Sequence, residues 1–224
     1  MCNLYRMTKP TSEVARWFDA IDATGGANFG DEVYPGYPGL VVAGGEVRRM
    51  TWGFPLQRTG AKGQPLKPKP VNNCRTDKLD SFFWRHSFAE RRCLIPMTAW
   101  AEAEGPKGAM TCTWLNLPHG EMFACAGVWR GSDEWGDVYS LVMTDANHHA
   151  SEVHERMPVV LAPETYGEWL GENADAARAL CRSWSGDLVL TRTEDRWGQR
   201  AGTPAPSPSP AKTPDADLSE PTLL

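Results

Sequence analysis

The chain has 224 residues, of which 41% are hydrophobic and 23% charged, with a formal net charge of −5 at pH 7. This composition fits one compact domain with a sizeable core. It excludes a membrane-spanning helix, because no apolar run approaches the roughly 18 residues that such a helix needs, and the first residues lack the apolar core of a signal peptide.

The predicted elements begin with a short amphipathic helix. Val14, Phe18 and Ile21 fall on one helical face between residue 12 and about residue 23, and Thr11 or Ser12 is placed to cap its first turn. The middle of the chain predicts short strands instead, separated by clusters of Gly, Pro, Asn and Asp. These strands are expected at residues 40–43, 47–54, 92–101, 110–115, 122–129 and 138–144.

The last part of the chain returns to helices. Helical segments are predicted at residues 164–170 and 174–183, followed by a late strand at 187–193. Repeated short strands without an internal repeat or βαβ alternation favour a mixed α+β fold, with a curled, partly closed, mainly antiparallel sheet and a few flanking helices. We expect this domain to span residues 1–197, because residues 198–224 are rich in Pro, Ala and Ser and predict a disordered tail.

Positive charge is concentrated in one stretch of an otherwise acidic chain. Residues 48–92 contain 11 basic and three acidic side chains, a local charge of +8, which leaves −13 for the other residues. A localised phosphate-binding face has this distribution, although the total charge argues at first sight against nucleic acid. On charge alone, a solvated loop with scattered lysines is an equally good interpretation.

Cysteine and histidine spacing predicts no metal site and no cofactor. The six cysteines include no CxxC pair, and we expect free, mostly buried thiols. The five histidines lack zinc-ligand spacing, and the neighbouring side chains of His148 and His149 are expected to point in different directions rather than share a metal.

Cys2 has the most unusual chemistry available to any residue in the chain. If Met1 is removed, Cys2 presents a free α-amine and a thiol on adjacent carbons. An aldehyde can condense with the amine to an imine, on which the thiol closes a five-membered thiazolidine. An α-amine has a reference pKa of about 7.7 to 8.0, so part of it is neutral near neutral pH. The alternative is a small residue at a poorly ordered terminus.

Three further segments carry groups that can assist such chemistry. Asn73 and Arg75 are two residues apart, so in an extended segment an amide and a guanidinium face the same side; the alternative is an Asn-rich turn. Glu102 ends an apolar strand, where a carboxyl tends to a raised pKa, and is otherwise a surface glutamate. His154 precedes another apolar run and is either a proton shuttle or a structural hydrogen-bonding residue.

Five segments, in this order, resemble the SOS response-associated peptidase (SRAP) family, whose members shield abasic sites in single-stranded DNA. Each segment alone is weak evidence, but five in order are highly specific, and the resemblance spans roughly residues 2–195. The segments are Met1-Cys2, Trp52-Gly53, Asn73-Cys74-Arg75, the run from Cys93 to Glu102 that begins Cys-Leu-Ile-Pro, and His154-Glu155-Arg156-Met157-Pro158.

The resemblance implies a role for each matching residue. Cys2 is the covalent nucleophile, and Asn73 helps to position the terminus. Glu102 assists removal of Met1 and the proton transfers of ring closure, while His154 acts on the sugar hydroxyl and in reversal of the crosslink. Arg75 contacts the DNA backbone. The implied fold is a mixed α/β domain around a barrel-like sheet, with a groove for one strand of DNA.

The chain departs from the family pattern in its DNA contacts. Asn3 and Leu4 follow Cys2 where the commoner opening is Met-Cys-Gly-Arg, and Arg6 is the candidate to replace the displaced arginine because it lies on the same side of an extended strand as Cys2. The segment after Trp52-Gly53 lacks the additional tryptophans that many members place near the bases. We predict DNA contact by Trp52, and the candidates for base stacking are Phe82, Trp84 and Trp100.

The resemblance also implies the partner and the reaction. The partner is single-stranded DNA containing abasic sites, and the protein is an autoproteolytic peptidase that forms a covalent link to DNA, with abasic-site lyase activity in some members. We expect a cytoplasmic monomer that is nucleoid-associated when bound to DNA and needs no cofactor. Two alternatives remain: an N-terminal-cysteine peptidase or amidohydrolase acting on other substrates, and a non-catalytic DNA-binding module.

Overall fold

The computed structural model describes residues 1–27 and 29–198, so the predicted tail lies outside the described residues apart from Gly198. Within these residues, no helix is both long enough and apolar enough to cross a membrane. The four α-helices are short: α1 (Thr11–Trp17), α2 (Arg85–Glu90), α3 (Tyr166–Leu170) and α4 (Ala174–Ala179).

Strands make up most of the regular structure. In chain order they are β1 (Leu4–Arg6), β2 (Ile21–Asp22), β3 (Glu32–Val33), β4 (Pro38–Ala43), β5 (Glu46–Trp52), β6 (Phe54–Thr59), β7 (Pro65–Val71), β8 (Asn73–Arg75), β9 (Arg92–Met97), β10 (Ala99–Glu104), β11 (Thr111–Asn116), β12 (Phe123–Ser132), β13 (Gly136–Asp145), β14 (Arg156–Pro158), β15 (Val160–Leu161) and β16 (Val189–Arg196). Short 3₁₀ turns lie at Thr76–Lys78, Pro118–Gly120, Ala150–Glu152 and Pro163–Thr165.

Five strands close into a barrel at the centre of the molecule. Their order is β5, β4, β9, β12 and β13, and β13 closes the ring by pairing with β5. Every pair is antiparallel except β13 with β5, which is parallel. All side chains of β9 are buried, because one face meets the barrel interior and α3 packs on the strand from outside. The predicted mixed fold with a barrel-like, mainly antiparallel sheet is confirmed.

A second sheet holds the start of the chain. Its strand order is β16, β11, β10, β1 and β3, so β1 lies between two neighbours. In the antiparallel pairing of β1 with β10, Leu4 lies opposite Ala101 and Tyr5 opposite Trp100. Tyr5 and Trp100 belong to the main core, whereas Leu4 and Ala101 pack in a smaller cluster on the other face of the sheet. The start of the chain is therefore fixed in the second sheet by backbone hydrogen bonds to β10 and β3.

Gly39 on β4 allows two tyrosine hydroxyls to meet inside the barrel. The hydroxyls of Tyr5 and Tyr139 are hydrogen-bonded to each other, and a Cβ at position 39 would overlap both oxygens. We expect Gly39→Ala to lower the free energy of unfolding by about 1–3 kcal/mol, measured by urea denaturation. Gly167→Ala in α3 is the control: its Cβ meets no atom within 4 Å, so stability should be unchanged or slightly higher. Equal losses for both substitutions would contradict this account of Gly39.

The first predicted helix is shorter in the structure than in the prediction. It ends at Trp17, because Asp19 has a left-handed backbone with φ of 48° and the next residues pair with β5 as strand β2. The predicted caps were wrong, since Thr11 is already the first helical residue and Pro10 occupies the cap position. The apolar periodicity predicted a helix to about residue 23, but Ile21 and Asp22 pair with β5 instead, and the local sequence pattern does not reveal this pairing.

Other boundaries moved for similar reasons. The predicted strand 92–101 is two strands, β9 in the barrel and β10 in the second sheet, separated at Thr98. The predicted strand 47–54 ends at Trp52, and β6 begins after Gly53. The two late helices and the late strand are present as α3, α4 and β16 with shifted ends.

The hairpin β6–β7 was not predicted. It forms a separate two-stranded sheet whose side chains are mostly exposed, and it carries Pro65, Pro68 and Pro70 on its second strand. Proline donates no backbone hydrogen bond and is depleted in strands, so the strand signal was weak here. The second strand leads through Val71 directly into Asn72, next to the start of the chain.

Candidate active site at the N-terminus

The backbone around Cys2 is held by two neighbouring amides. Asn72 and Asn73 each donate a side-chain hydrogen bond to the Cys2 carbonyl oxygen, at 2.9 and 2.8 Å. Asn72 also donates to the side-chain oxygen of Asn3 at 3.1 Å. The Cys2 side chain is fully buried in the main core, and its Sγ donates to the Leu4 carbonyl at 3.5 Å. The second residue of this chain is therefore ordered and specifically bound.

The fold fixes the two asparagines independently of the terminus. Asn73 begins β8, which pairs in parallel with β13. The carbonyl oxygen of Asn72 accepts a hydrogen bond from the Trp52 indole at 2.9 Å. Trp52 itself is completely buried and packs against Tyr5 and Tyr139. This burial argues against the predicted contact of Trp52 with DNA and gives the indole a supporting role behind Asn72.

Glu102 and His154 converge on the amino group of the chain. The Met1 nitrogen lies 3.3 Å from Oε2 of Glu102 and 2.6 Å from Nε2 of His154. Nδ1 of His154 accepts the backbone N–H of Arg156 at 2.9 Å, so in the neutral ring Nε2 carries the proton. That N–H is directed at the terminal nitrogen, which accepts it only as an uncharged amine; as an ammonium the terminus donates to Glu102. The arrangement holds an amine between a hydrogen-bond donor and a carboxylate.

Glu102 is buried and lies inside β10, whereas the sequence predicted it at the end of a strand. It lies on β10 on the same face as Trp100, and only 3% of it is exposed. Burial raises the pKa of its carboxyl to about 7, against the opposing effect of the nearby terminal ammonium. The pKa of His154 is lowered by burial and by the same ammonium. Glu102 can therefore change protonation near neutral pH, as general acid–base catalysis requires, while the lowered pKa of His154 favours its neutral form.

Two buried acceptor atoms at this site lack a hydrogen-bond donor among residues 1–27 and 29–198. They are Oδ1 of Asn73 and Oε1 of Glu102. Buried polar atoms without partners are rare in folded proteins, because each costs about 1–3 kcal/mol. Both atoms belong to side chains that already contact the first two residues, so they mark the place where a bound molecule can supply the missing donors.

The Cys2 thiol is kept protonated by its surroundings. Burial raises its pKa well above the ordinary range, and the negative charge of Glu102 adds to this effect. A protonated thiol is a weak nucleophile and resists alkylation and oxidation. Any reaction of this sulfur therefore needs a base close by, and Glu102 is the nearest carboxylate described at the site.

The two arginines predicted to contact DNA are both paired within the protein. Arg75 forms a two-bond ion pair with Asp77, at 2.8 and 2.7 Å, and remains substantially exposed. Arg6 donates two hydrogen bonds to a single oxygen of Glu32, at 3.1 and 2.8 Å, and lies over the ring of Trp114. It lines a cavity of about 690 Å³ on the face of the second sheet that lies opposite Tyr5. Their contact with DNA stays a prediction.

The basic stretch does not form one continuous face. Arg92 is buried and donates to four backbone carbonyls, those of Phe88, Ala89, Trp169 and Gly171, so its role is structural. Arg48 pairs with Glu46 on the same strand. The hairpin β6–β7 is different, since it carries four cations and no acidic residue. Within residues 1–27 and 29–198 none of these cations has a hydrogen bond or ion pair from its side chain; they are Arg58, Lys62, Lys67 and Lys69.

The three candidates for stacking on a base differ in how exposed their side chains are. Phe82 is 87% exposed, whereas Trp84 and Trp100 are buried in the core. Phe82 is therefore the one of the three whose ring is free to stack on a base without a change in the fold.

Asn72 is the residue that sequence reasoning missed at the site, and its position beside Asn73 in an Asn-Asn pair was the available signal.

The expectation that His148 and His149 point in different directions was wrong. Their ring centroids are 3.8 Å apart with an interplanar angle of 39°. His149 has helical backbone angles, φ of −73° and ψ of −52°, at the start of a 3₁₀ turn. Adjacent side chains diverge fully only in an extended strand, and a turn brings them closer together.

The sequence of this chain is similar to one protein family and to two proteins of Bacillus subtilis. The family described as SOS response associated peptidase (SRAP) matches residues 1–196. The abasic site processing protein YoqW of Bacillus subtilis is 27% identical over 134 residues, covering 57% of this chain and 58% of YoqW. The abasic site processing protein YoaM of the same species is 24% identical over 127 residues, covering 54% of this chain and 55% of YoaM. The match thus spans a little over half the length of each relative.

Solved structures of low sequence identity share the fold. A protein from Bordetella bronchiseptica has a TM-score of 0.72 at 23% identity, covering 86% of this chain and 99% of that protein. A protein from Bacteroides thetaiotaomicron has a TM-score of 0.70 at 16% identity, covering 85% of this chain and 91% of that protein. These proteins therefore share the fold over most of this chain.

Proposed function

The chain belongs to the SOS response-associated peptidase family, and from this we propose that it forms a covalent link with abasic sites in single-stranded DNA through Cys2. The observation that carries the proposal is the convergence of Asn73, Glu102 and His154 on the first two residues of the chain. Each of these side chains came from a different segment of the sequence. The abasic site processing names of two relatives support the same substrate.

The first proposed step is removal of Met1. Hydrolysis of the Met1–Cys2 peptide bond adds one water, whose hydroxyl ends on the Met1 carbonyl carbon while its proton ends on the Cys2 nitrogen. Glu102 is 3.3 Å from the Met1 nitrogen and has a pKa of about 7, so it suits the role of proton carrier in this step. The two asparagine hydrogen bonds to Cys2 keep the new terminus in place.

The second proposed step joins Cys2 to the DNA sugar. The open-chain abasic sugar carries an aldehyde at C1′, and the Cys2 amine condenses with it to an imine, releasing one water. The thiol then adds to the imine carbon: a carbon–sulfur bond forms, the sulfur loses its proton and the nitrogen gains one. The product is a five-membered thiazolidine, and the net change in mass is the loss of one water.

Glu102 and His154 divide the proton transfers in this proposal. Because burial keeps the Cys2 thiol protonated, the amine reacts first, and Glu102 takes the thiol proton only as the ring closes. His154 is half-buried at the outer side of the terminus and is assigned to the sugar hydroxyl and to reversal of the link. Elimination at an imine also breaks DNA, so lyase activity is a second outcome of the same intermediate.

The hairpin β6–β7 is proposed to bind the DNA backbone next to this site. Its second strand runs into Asn72 and Asn73, which contact Cys2. At about 3.3 Å per residue, Lys69 lies roughly 13 Å and Lys67 roughly 20 Å along the chain from Asn73. Both lysines lack an ion pair within the described part of the chain, so they are available to phosphates of flanking nucleotides.

Charge reversal on the hairpin tests this contact. We expect Lys67→Glu with Lys69→Glu to weaken binding of single-stranded DNA at least about tenfold at 100 mM salt, and to lower the slope of log K against log salt by about 1 to 2 units. Arg16→Glu with Lys107→Glu, which changes the net charge by the same amount elsewhere, is the control. Equal weakening by both double variants would show a general charge effect and contradict the hairpin contact. Binding is measured by fluorescence anisotropy.

One experiment tests the proposed function itself. Mature protein is mixed with single-stranded DNA bearing one abasic site, and the product is analysed on a denaturing gel and by intact mass. We expect one adduct that equals protein plus DNA less one water, and none with DNA that lacks the site. Turnover of a peptide without DNA would favour an N-terminal-cysteine hydrolase, and salt-sensitive retention without an adduct would favour a non-catalytic binding module.

A further inference from the structure

Two surface turns beside the His154 segment are tied together by one asparagine. Asn147, which follows β13, donates from its side chain to the carbonyls of Trp184 and Gly186 at 3.0 and 3.4 Å. Its side-chain oxygen accepts the backbone N–H of Ala150 at 2.9 Å. The turn after β13 and the loop before β16 are thus held in a fixed relation by hydrogen bonds on both sides of one side chain.

Three metal-ligand side chains lie at this junction. His148 and His149 belong to the turn, and Asp187 follows Gly186 in the loop. Nε2 of His149 is 3.2 Å from Oδ1 of Asp187, and one ligand atom from each of the three residues lies within 4.8 Å of the others. Within residues 1–27 and 29–198, no other group of three His, Cys, Asp or Glu side chains meets this criterion.

These separations are close to those of a tetrahedral zinc site. Bonds of about 2.0–2.1 Å to zinc place neighbouring donors about 3.3 Å apart. His149 and Asp187 already have this spacing, and the remaining distances must shorten by at most about 1.5 Å from 4.8 Å. His148 and Asp187 are exposed, so rotation of their side chains suffices and the backbone can stay where Asn147 holds it.

We propose that His148, His149 and Asp187 bind one divalent transition-metal ion of the zinc class. Two imidazoles and one carboxylate suit zinc, nickel and copper, whereas magnesium and calcium prefer oxygen ligands throughout. Water occupies the remaining coordination position. The carboxylates nearest in sequence are already paired, Asp145 with Arg156 and Glu152 with Arg192, so they do not complete the donor set.

The ion stabilises the turn that leads to His154. The backbone N–H of His154 donates to the Ala150 carbonyl at 3.0 Å, and the N–H of Ala146 donates to the Glu155 carbonyl at 3.0 Å. The metal-binding turn therefore begins and ends with hydrogen bonds to the segment that carries His154. An ion linking this turn to Asp187 restricts local opening of that segment, and it does so whether or not the protein reacts with DNA.

Zinc titration of chelator-treated full-length protein tests the proposal. We expect isothermal titration and native mass spectrometry to show one ion bound at this site. His148→Ala, His149→Ala and Asp187→Asn should each raise the dissociation constant at least about tenfold. His86→Ala is the matched control, because His86 also lies beside a carboxylate, with Nδ1 3.5 Å from Glu90, but has no third ligand within the described chain.

The N-terminal site is the main competitor for zinc, since Cys2 and His154 are also metal-binding groups. The titration is therefore repeated with Cys2→Ala and with His154→Ala, which should leave one ion bound. If the ion is lost in those two variants but kept in the His148 and His149 variants, the proposed site is wrong. Thermal unfolding without metal checks folding, and Asp187→Asn serves as the near-isosteric variant because it removes the charge without changing the shape.

Discussion

Cys2→Ala is expected to abolish the adduct with abasic single-stranded DNA, while Cys181→Ala leaves its yield unchanged. Of the six cysteines, Cys181 is the one that is partly exposed, and the other five are buried. If exposure of the thiol decided the reaction, Cys181 would therefore be the nucleophile. The proposed chemistry requires an amine and a thiol on adjacent carbons, and Cys2 is the residue that provides both when Met1 is removed.

Reduction with borohydride distinguishes an imine, which has only the carbon–nitrogen bond, from the thiazolidine, which also has the carbon–sulfur bond. An alanine terminus retains the α-amine, so Cys2→Ala can still form an imine, which hydrolyses on a denaturing gel but is trapped by borohydride. We expect an adduct of Cys2→Ala only with borohydride, and an adduct of the wild type without it. An adduct of Cys2→Ala that survives without reduction would contradict the thiazolidine. Intact mass of each variant confirms that Met1 has been removed before the DNA is added.

The four catalytic candidates were predictable because each lies in a short segment whose residue order is recognisable. Their convergence was not, since Asn73, Glu102 and His154 meet at the terminus through the pairing of β8 with β13, of β1 with β10, and of β13 with β14, which follows His154. The burial of Trp52 could also be predicted from the alternation of side chains along its strand. Trp52 lies two residues after Met50, a buried position of β5, so the two side chains share the inward face of the strand.

The features that escaped prediction depend on contacts between distant segments. Strand β1 has only three residues and is stable because it lies between β10 and β3. The hairpin β6–β7 is rich in proline and lysine, and Thr59 and Val71 are the only β-branched residues in its two strands, so the signal for a sheet is weak. The meeting of His148, His149 and Asp187 needs the Asn147 hydrogen bonds across two loops, which no spacing in the sequence encodes.

Glu102→Gln is expected to slow the removal of Met1 at least about a hundredfold, the usual contribution of a general acid–base group. Glutamine keeps the shape and the hydrogen-bonding oxygen but cannot carry a proton. Glu104→Gln is the matched control on the same strand, since Glu104 binds Thr113 and Arg192 rather than the terminus. A fusion partner released by a protease that leaves Met1 as the first residue provides the precursor, and loss of Met1 is followed by intact mass.

The pH dependence of the same reaction identifies which form of Glu102 acts. With a pKa of about 7, the carboxylate fraction rises from about one tenth at pH 6 to about nine tenths at pH 8. If the carboxylate accepts a proton in the slow step, Met1 removal should be close to tenfold faster at pH 8 and level off above it. If the protonated acid were needed, the rate would fall over this range.

Burial of Glu102 links this profile to the rest of the mechanism. The burial that raises the pKa of Glu102 also keeps the Cys2 thiol protonated. Each group can therefore react only when a proton moves between the two groups or to the amine. A flat rate from pH 6 to pH 8 in the wild type, with equal rates for Glu102→Gln and Glu104→Gln, would remove Glu102 from the reaction. Met1 would then be removed by another agent, and the ion-pair geometry at the terminus would have only a structural purpose.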